Sequence, residues 1–530
     1  MKIRPPSNAA AIWKAKDKAF EHRRPWEALL NEVYDKILVY RDPAERSGGV
    51  GAARMNHLFD STAVSSAFRF AGRLKNDIAP SLQPFFKIEL GPAAKARLSK
   101  ADFDRLSKGL QDVSAAAYAA IDTPGFHAAT SEGCVDLTAG QAAILISEGD
   151  ADEPVIFEAV PAIDVALMEG RAGKVTEIHY ARKFSARVIA ARWPDAVRDN
   201  KLPKAVMDAL GKDGNSETEF EVAQSTFWNG EDRRWELHVV MAGAGSKGDG
   251  YVEIHTQNTR TCPWLTPRFF KVPGEAQGRG PAMMALPDVR VLNKTVELTL
   301  RAAALAIMGL WTRTQGLNAA STLNLQRLAP GSMIPVTSNQ SANPEIRALD
   351  VPRNFDVSNI MISEFRERIR EILFDRAIPQ SRGDTPRSAS EVIEHIRIYA
   401  EDLAVVYGRL VQEFVVPLVQ RVLELLYKQN LLPDLIQIDQ LTANVKIVSP
   451  LADAQNMNDL TRVTRWLELM AGTVGEDALM MSAKVEDVGE YFARKLGVPE
   501  ELIREAKERG DVQKLIAAMA ARREQQEAAA

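Results

Sequence analysis

Residues 260–300 read RTCPWLTPRFFKVPGEAQGRGPAMMALPDVRVLNKTVELTL, and no other stretch constrains the fold as tightly. Pro263, Pro267 and Pro273 break any long strand, because proline brings no amide to a sheet ladder. Trp264, Phe269 and Phe270 form a short aromatic patch among them. Gly278, Arg279, Gly280 and Pro281 then mark a structural corner. From Leu286-Pro287-Asp288 a helical pattern runs over 288–311, about 36 Å at 1.5 Å per residue. The segment therefore joins one kind of structure to another, and it contains no catalytic box.

Upstream, residues 9–41 carry Ile12, Trp13, Phe20, Trp26, Leu29, Leu30, Val33, Ile37 and Leu38 at helical spacing. Pro25 divides this pattern into two predicted helices with a basic, polar outer side. A Gly-rich break at 47–51 closes that unit. A further helix has Asp60, Ser61 and Thr62 placed to cap its first turn, and another spans 103–120. From Gly133 to Pro267 the hydrophobic period moves towards two. Runs at 142–147, 155–160, 176–183, 218–228, 234–241 and 251–256, separated by turn residues, predict an antiparallel sheet. Helices at 185–191 and 204–210 interrupt it.

Downstream, residues 312–357 are dense in Asn, Ser and Pro. A second helix follows on the apolar stripe Ile362, Phe365, Ile369 and Ile372, backed by Glu364, Arg366, Glu367, Arg368, Arg370 and Glu371. Two long helices bracketing a polar module predict a hairpin with a tip. Residues 379–387 (PQSRGDTPR) have the composition of a loop. Ser388 and Glu391 have capping-box spacing and open a helix to about Lys428, in which Pro417 predicts a kink. A β-like run at 444–448 and a helical region over 455–520 complete an α+β, mainly α chain without internal repeats.

Length and composition bound the function. The 530 residues hold about three to four domains' worth of structure. A formal net charge of −4 argues against a protein that grips nucleic acid electrostatically. It does not argue against one that lets DNA slide past. Cys134 and Cys262 are too few and too far apart for a disulfide framework or a zinc site, and read as small buried or half-buried hydrophobes. The N-terminus has no apolar signal core, and the longest apolar helical stretch, 302–311, is too short for a bilayer. A soluble protein is expected.

Candidate chemical motifs resolve into structure. Gly243, Gly245 and Gly248 satisfy G-x-G-x-x-G, but a second strand-like run follows them, which predicts a hairpin loop rather than a dinucleotide site. No GxxxxGK[ST] or Gly-x-Ser-x-Gly motif occurs. The seven histidines show no paired spacing. Glu148, Asp150, Asp152 and Glu153 lack the alternation and glycine of a calcium loop, and read as a solvated turn. Arg382-Gly383-Asp384 is read as loop chemistry. Arg268, Phe269, Phe270 and Lys271 read as a strand with inward aromatics and snorkelling cations, rather than a stacking platform for single-stranded nucleic acid. No cofactor or metal is expected.

Four segments, in order, resemble portal (head-to-tail connector) proteins of short-tailed, podovirus-type bacteriophages. They are LFDSTAVSSAF, CPWLTPRFFKVPGEAQGRGPAMMALPDVRVLN, LAPGSMIPV and SASEVIEHIRIYAEDLAVVYGRLVQEFVVPLVQRV, covering about 55–422. Ala276-Gln277-Gly278 departs from the family, where an aromatic precedes the glycine. The resemblance implies a wing over 1–287, stem helices at 288–311 and 358–376, and a clip at 312–357. It further implies a tunnel loop at 377–388, a long kinked wing helix and return strand at 389–454, and a crown at 455–530. It implies a homo-oligomeric ring, a dodecamer, at one capsid vertex, through which double-stranded DNA is packaged and ejected without base readout. The partners implied are the terminase large subunit, the tail adaptor or tail tube, and the major capsid and scaffolding proteins, with no membrane. The chain would assemble in the host cytoplasm and reside in the virion. Arg382, Arg387 and Gln380 would meet phosphates at the constriction, while stem acids such as Glu297 keep the channel slippery. The rival readings are a packaging motor or nuclease and a capsid scaffold that binds no DNA.

Overall fold

Helix α1 (Ala9–Lys36) begins where the Asn8 side chain accepts the Ala10 amide at 2.8 Å. It is one helix of 28 residues with Pro25 inside, not the two helices expected from the sequence. An interior proline costs about 3 kcal/mol, and burial at both ends offsets it. Ile12 and Trp13 pack against a sheet, while Leu30, Val33 and Tyr34 join a second core. Just before the proline, buried Arg23 donates to the carbonyls of Ile163 at 2.5 Å and Val165 at 2.9 Å. The computed structural model describes residues 5–43, 49, 51, 53–81, 83–91, 100–150, 152–211, 214–243, 250–308, 310–313, 346–349, 356–375, 403, 405–432, 443–447, 450–473, 488–489 and 491–492.

After α1 come α2 (Thr62–Ile78), β1 (Phe86–Leu90), α3 (Lys100–Ile121) and α4 (Pro124–Ala139). The period-two region holds β2 (Ala143–Glu148), β3 (Val155–Val160), β4 (Val165–Glu169), β5 (Val175–Ser185), β6 (Glu219–Asn229), β7 (Arg234–Ala242) and β8 (Tyr251–Thr259). Instead of a single sheet, β4 to β8 form a five-stranded antiparallel meander, and β2 and β3 form a separate sheet with β9 (Trp264–Leu265). The meander is covered on both faces. Ala223, Phe227 and Val240 meet α1, and Val222, Val239, Met241 and Ile254 meet α5 (Ala186–Arg192), α6 (Pro194–Arg198) and α7 (Lys204–Leu210). The alternation of Val222 and Ala223 between the two cores is the two-residue period at work. The glycines 243, 245 and 248 fall between β7 and β8, which pair antiparallel, as a hairpin requires.

Helix α4 was not legible in the sequence, which placed the start of β structure at Gly133. Phe126, Ala129, Thr130, Gly133, Cys134, Asp136 and Leu137 are all buried while Ala128 is exposed beside Ser131 and Glu132, so polar and apolar residues do not sort cleanly between its faces. A Cβ on Gly133 would stand 3.0 Å from Ile144 of β2, so the glycine sets the helix-to-sheet spacing.

Beyond β10 (Phe270–Lys271) and β11 (Gly278–Arg279), helix α8 runs over Pro281–Met308. It starts seven residues before the expected 288, and the expected end at 311 is already strand. Proline is favoured at a helix N1 position, so Pro281 rather than Asp288 opens the helix, and Pro287 lies inside it. Strand β12 (Leu310–Arg313) pairs antiparallel with β13 (Ile346–Leu349), and α9 (Asp356–Ile372) returns along α8. Val289, Leu292 and Val296 of α8 share a core with Ile362 and Ile369 of α9, which is the expected helical hairpin.

The long helix near the C-terminal third passes through a π turn, Val411–Val415, into α10 (Val416–Lys428). Pro417 therefore lies in the first turn after a widened π turn rather than breaking a uniform α-helix. The ladder disruption that proline imposes is absorbed there. Strand β14 (Ala443–Ile447) pairs with β1, and α11 (Pro450–Thr473) follows. The main core gathers α2, α3, α4, β1, β2 and β3 around the buried face of the long helix, including Leu418, Val422 and Leu425.

Candidate functional site

The junction between sheet and hairpin is built by two glutamates on the long helix. Glu424 accepts the amides of Arg260 at 2.7 Å and Thr261 at 2.9 Å, and also the Thr261 hydroxyl. Its neighbour Arg421 is buried, donates to Glu424 at 3.3 Å, and reaches the Ile146 carbonyl at 3.5 Å. Burial lowers the pKa of Arg421 against the pull of Glu424. Eleven residues earlier, inside the π turn, Glu413 takes the Arg268 amide at 3.0 Å and its guanidinium at 2.6 and 3.1 Å.

Arg268 is the hub of this region. It is 2% exposed, so it does not snorkel as the sequence reading expected. Besides Glu413 it donates to Glu169 and to the carbonyls of Ala276 and Gly173, both at 3.1 Å. Burial works against its charge, but the hydrogen bonds and charges of Glu413 and Glu169 prevail and raise its pKa. The paired cation Lys271 stands 2.8 Å from Glu169. Phe269 packs inward as expected, edge-on to Phe70 at 5.7 Å between ring centres.

The corner itself is a three-glycine lock. A Cβ on Gly140, at the end of α4, would lie 2.3 Å from the Gly278 carbonyl oxygen. One on Gly278 would lie 2.1 Å from the Gly140 oxygen, and one on Gly280 2.2 Å from the Thr138 oxygen. Gly140 also holds φ at +140°, which only glycine adopts freely. Arg279 is held by Glu275 at 2.7 and 2.9 Å and covers the Trp26 ring of α1 at 4.9 Å. Pro281 then opens α8 directly. All four expected corner residues thus sit where β11 becomes helix.

The helical hairpin is tied to the body at both helices. Glu32 of α1 takes Arg290 of α8 at 2.6 Å and Lys36 at 2.7 Å. The Arg290 hydrogen bond leads, burial opposes it, Lys36 adds to it, and the carboxyl falls to about 2. Asn293 accepts the Phe59 amide at 2.7 Å, and Asp60 binds Arg366 of α9 at 2.7 Å. Asp60 also accepts the Thr62 amide at 2.8 Å, so the expected cap of α2 comes from Asp60 alone, without a Ser61 side-chain bond.

Helix α9 stops on a residue that resists the required geometry. Phe374 has φ +54°, its amide reaches the Glu371 carbonyl at 3.0 Å, and the Asp375 amide reaches Arg370 at 2.8 Å. This is the Schellman pair of bonds. The same pair closes helices at Asn200 and Asn430, where asparagine tolerates the left-handed conformation. Phe374 is held there by stacking on Phe70 at 5.4 Å. Its carbonyl accepts Arg73 at 3.2 Å, and buried Asp375 accepts the Ser66 hydroxyl at 2.8 Å.

Of the expected channel residues, Glu297 lies on α8 with its charge answered locally by Lys294 at 3.0 Å and by Arg301. The Lys294 hydrogen bond, opposed by burial and aided by Arg301, lowers its pKa. Arg382, Arg387 and Gln380 lie outside the described residues, as does the Arg382-Gly383-Asp384 tripeptide. The sequence reading missed Glu413, Glu424 and Asp375. A single glutamate inside the apolar run LVQEFVVPLV was the available signal for Glu413. Cys134 is buried and Cys262 half-buried, and burial pushes both thiols up to about 12. Among the described residues no cluster of His, Cys, Asp and Glu is placed to hold a metal, and no helix is long and apolar enough to cross a membrane.

A β-rich body thus hands its chain through a glycine-locked corner to a helical hairpin braced by Glu32 and Asp60. Residues 9–503 match the model of the bacteriophage head to tail connecting protein family, and the chain belongs to that family. It is similar to the probable portal protein of Bordetella phage BPP-1, with 26% identity over 523 residues, covering 91% of this chain and 86% of that protein. Among solved structures it is similar to a chain of the virion of a native gene transfer agent particle. That likeness has a TM-score of 0.34 and 10% identity, over 88% of this chain and 99% of the other. The family assignment does not rest on it.

Proposed function

We propose that this chain is the portal subunit of a short-tailed bacteriophage. Copies close into a ring, a dodecamer, at one capsid vertex of the virion. Double-stranded DNA passes through it during packaging and ejection. The family match over 9–503 carries the reading, and the braced α8–α9 hairpin supports it as the stem. In this assignment 1–287 form the wing, 312–357 the clip that docks the terminase large subunit and then the tail adaptor or tail tube, and 377–388 the tunnel loop. The long helix with its return strand over 389–454 belongs to the wing, and 455–530 are the crown. Capsid and scaffolding proteins meet the ring from outside, and the chain is made in the host cytoplasm.

The role is mechanical, not enzymatic. A duplex passing through is met by charge and width, with no base readout, and Arg382, Arg387 and Gln380 are assigned to its phosphates. Negative-stain microscopy of the purified protein, beside an ATPase assay, tests the reading. Rings with a central hole and no ATP turnover are expected. Monomers that hydrolyse ATP, or irregular particles, would refute it. Replacing Arg382 and Arg387 by alanine should alter packaged genome length or DNA retention, and unchanged values would remove both from the mechanism.

A further inference from the structure

The leucines that seat the long helix in the main core are not evenly spaced. Leu403 and Leu410 are seven residues apart, as are Leu418 and Leu425, but Leu410 and Leu418 are eight apart. All four are buried in one core. At about 100° per residue, seven residues return a side chain to within about 20° of its first direction, and eight leave it about 80° away. One residue is therefore in excess between Leu410 and Leu418. The π turn at Val411–Val415 takes it up, with the Val416 amide bonded to the carbonyl of Val411, five residues back.

Without that turn a second seating is available. Counting back seven from Leu418 reaches Val411 rather than Leu410. Each residue just upstream would then take the place of the one before it. Tyr407 would enter the seat of Val406, which is 2% exposed, and Val406 would move out to that of Val405, which is 81% exposed. Arg409 would move into the place of Gly408, where a side chain meets nothing within 4 Å. In the present seating Val406 and Leu410 line a groove against Leu74 and Ile78 of α2. In the second, Tyr407 and Val411 would replace them, apolar for apolar.

We propose that Pro417 is the pin that chooses between the two seatings, by making the π turn obligatory. A proline in a regular helix clashes with the carbonyl four residues back, here that of Glu413, and a turn widened by one residue relieves the clash. Glu413 lies inside that same turn and makes its three bonds to Arg268 from it. The pin thus sets the angle of the helix upstream and holds the carboxylate that anchors the corner.

The test uses the full chain with one added cysteine, Val406→Cys or Tyr407→Cys. Peptide mapping after iodoacetamide labelling reads that position apart from Cys134 and Cys262. With Pro417 present, position 406 should be protected and position 407 labelled. Pro417→Ala should reverse the pair, labelling at 406 rising about tenfold and at 407 falling by a similar factor. Deleting exposed Gln412 from the Pro417→Ala chain sets the leucines seven residues apart throughout, and should return the first pattern. An unchanged pattern in Pro417→Ala would overturn the pin. Labelling that rises at both positions would overturn it too, because that is local unfolding rather than rotation. So would a deletion that fails to restore protection at 406.

Discussion

Replacing Arg268 by methionine tests whether the junction is held by charge or merely packed around it. Methionine keeps much of the aliphatic volume and removes every side-chain donor. Glu413 then loses its two guanidinium bonds, and the carbonyls of Ala276 and Gly173 lose theirs. Removing one partner of a buried ion pair costs about 3–5 kcal/mol. Here Glu169 keeps Lys271 at 2.8 Å, and the Glu413 side chain is 23% exposed, so some solvation remains. The low end, about 3 kcal/mol, is the expected loss. Hydrogen exchange of the Phe269 amide, which bonds the Gly140 carbonyl at 2.8 Å, reads this locally. At 1.4 kcal/mol per decade, protection should fall about a hundredfold. Arg268→Met with Glu413→Gln should recover about 1–2 kcal/mol, because no bare carboxylate is left behind. A single variant whose protection changes less than about threefold, or a double variant no better than the single, would refute a charge-held junction.

Glu32→Gln should remove one component of acid stability. The carboxyl is lowered from 4.5 to about 2 by Arg290 and Lys36 against burial. Its contribution is therefore present above pH 4.5 and is lost as the pH falls towards 2, so wild type and variant should converge at the acid end of a denaturation series. At Phe374, glycine should be more stable than alanine by about 1 kcal/mol in urea unfolding, because alanine loses the ring yet keeps the left-handed strain. The reverse order would show that φ +54° is not a strained position in this chain. Gly280→Ala should disrupt the corner, since its Cβ would fall 2.2 Å from backbone at Thr138. A normal yield of well-folded subunit from that variant would contradict the lock. Both cysteines should resist iodoacetamide at pH 8 in the native subunit and react in denaturant, as thiols pushed up to about 12 require.

The elements that could be read from the chain are those with one wet face. Strand β3 and helix α7 fall where period and turn residues placed them, and the pairing of α8 with α9 was read though not the bounds of α8, because solvent on one side imprints a pattern. Helix α4 buries Thr130 and Asp136 with its apolar residues while Ala128 faces out, and left no such mark. Pro25 was misread because burial at both ends of α1 lies far away in sequence. The corner was legible, since Gly278, Gly280 and Pro281 speak through backbone freedom alone. What holds the corner was not. Arg268 meets Glu413 at a separation of 145 residues, and Thr261 meets Glu424 at 163, so no local pattern announces either pair.

Strand β1 pairs with β14, and Glu89 meets Lys446 across 357 residues. This pairing sets a clock for synthesis. At a translation rate of roughly 5–20 residues per second, β1 waits about 20 to 70 seconds for its only strand partner among the described residues. Through that interval Phe86 and Ile88, buried in the finished chain, lack the long helix that covers their core. Nascent chains are therefore open to edge-to-edge association with one another until the last third emerges. A truncation ending before residue 443 makes that exposure permanent. The fold is completed from its C-terminal side, and the intact chain, rather than an early-folding N-terminal part, is the unit that folds.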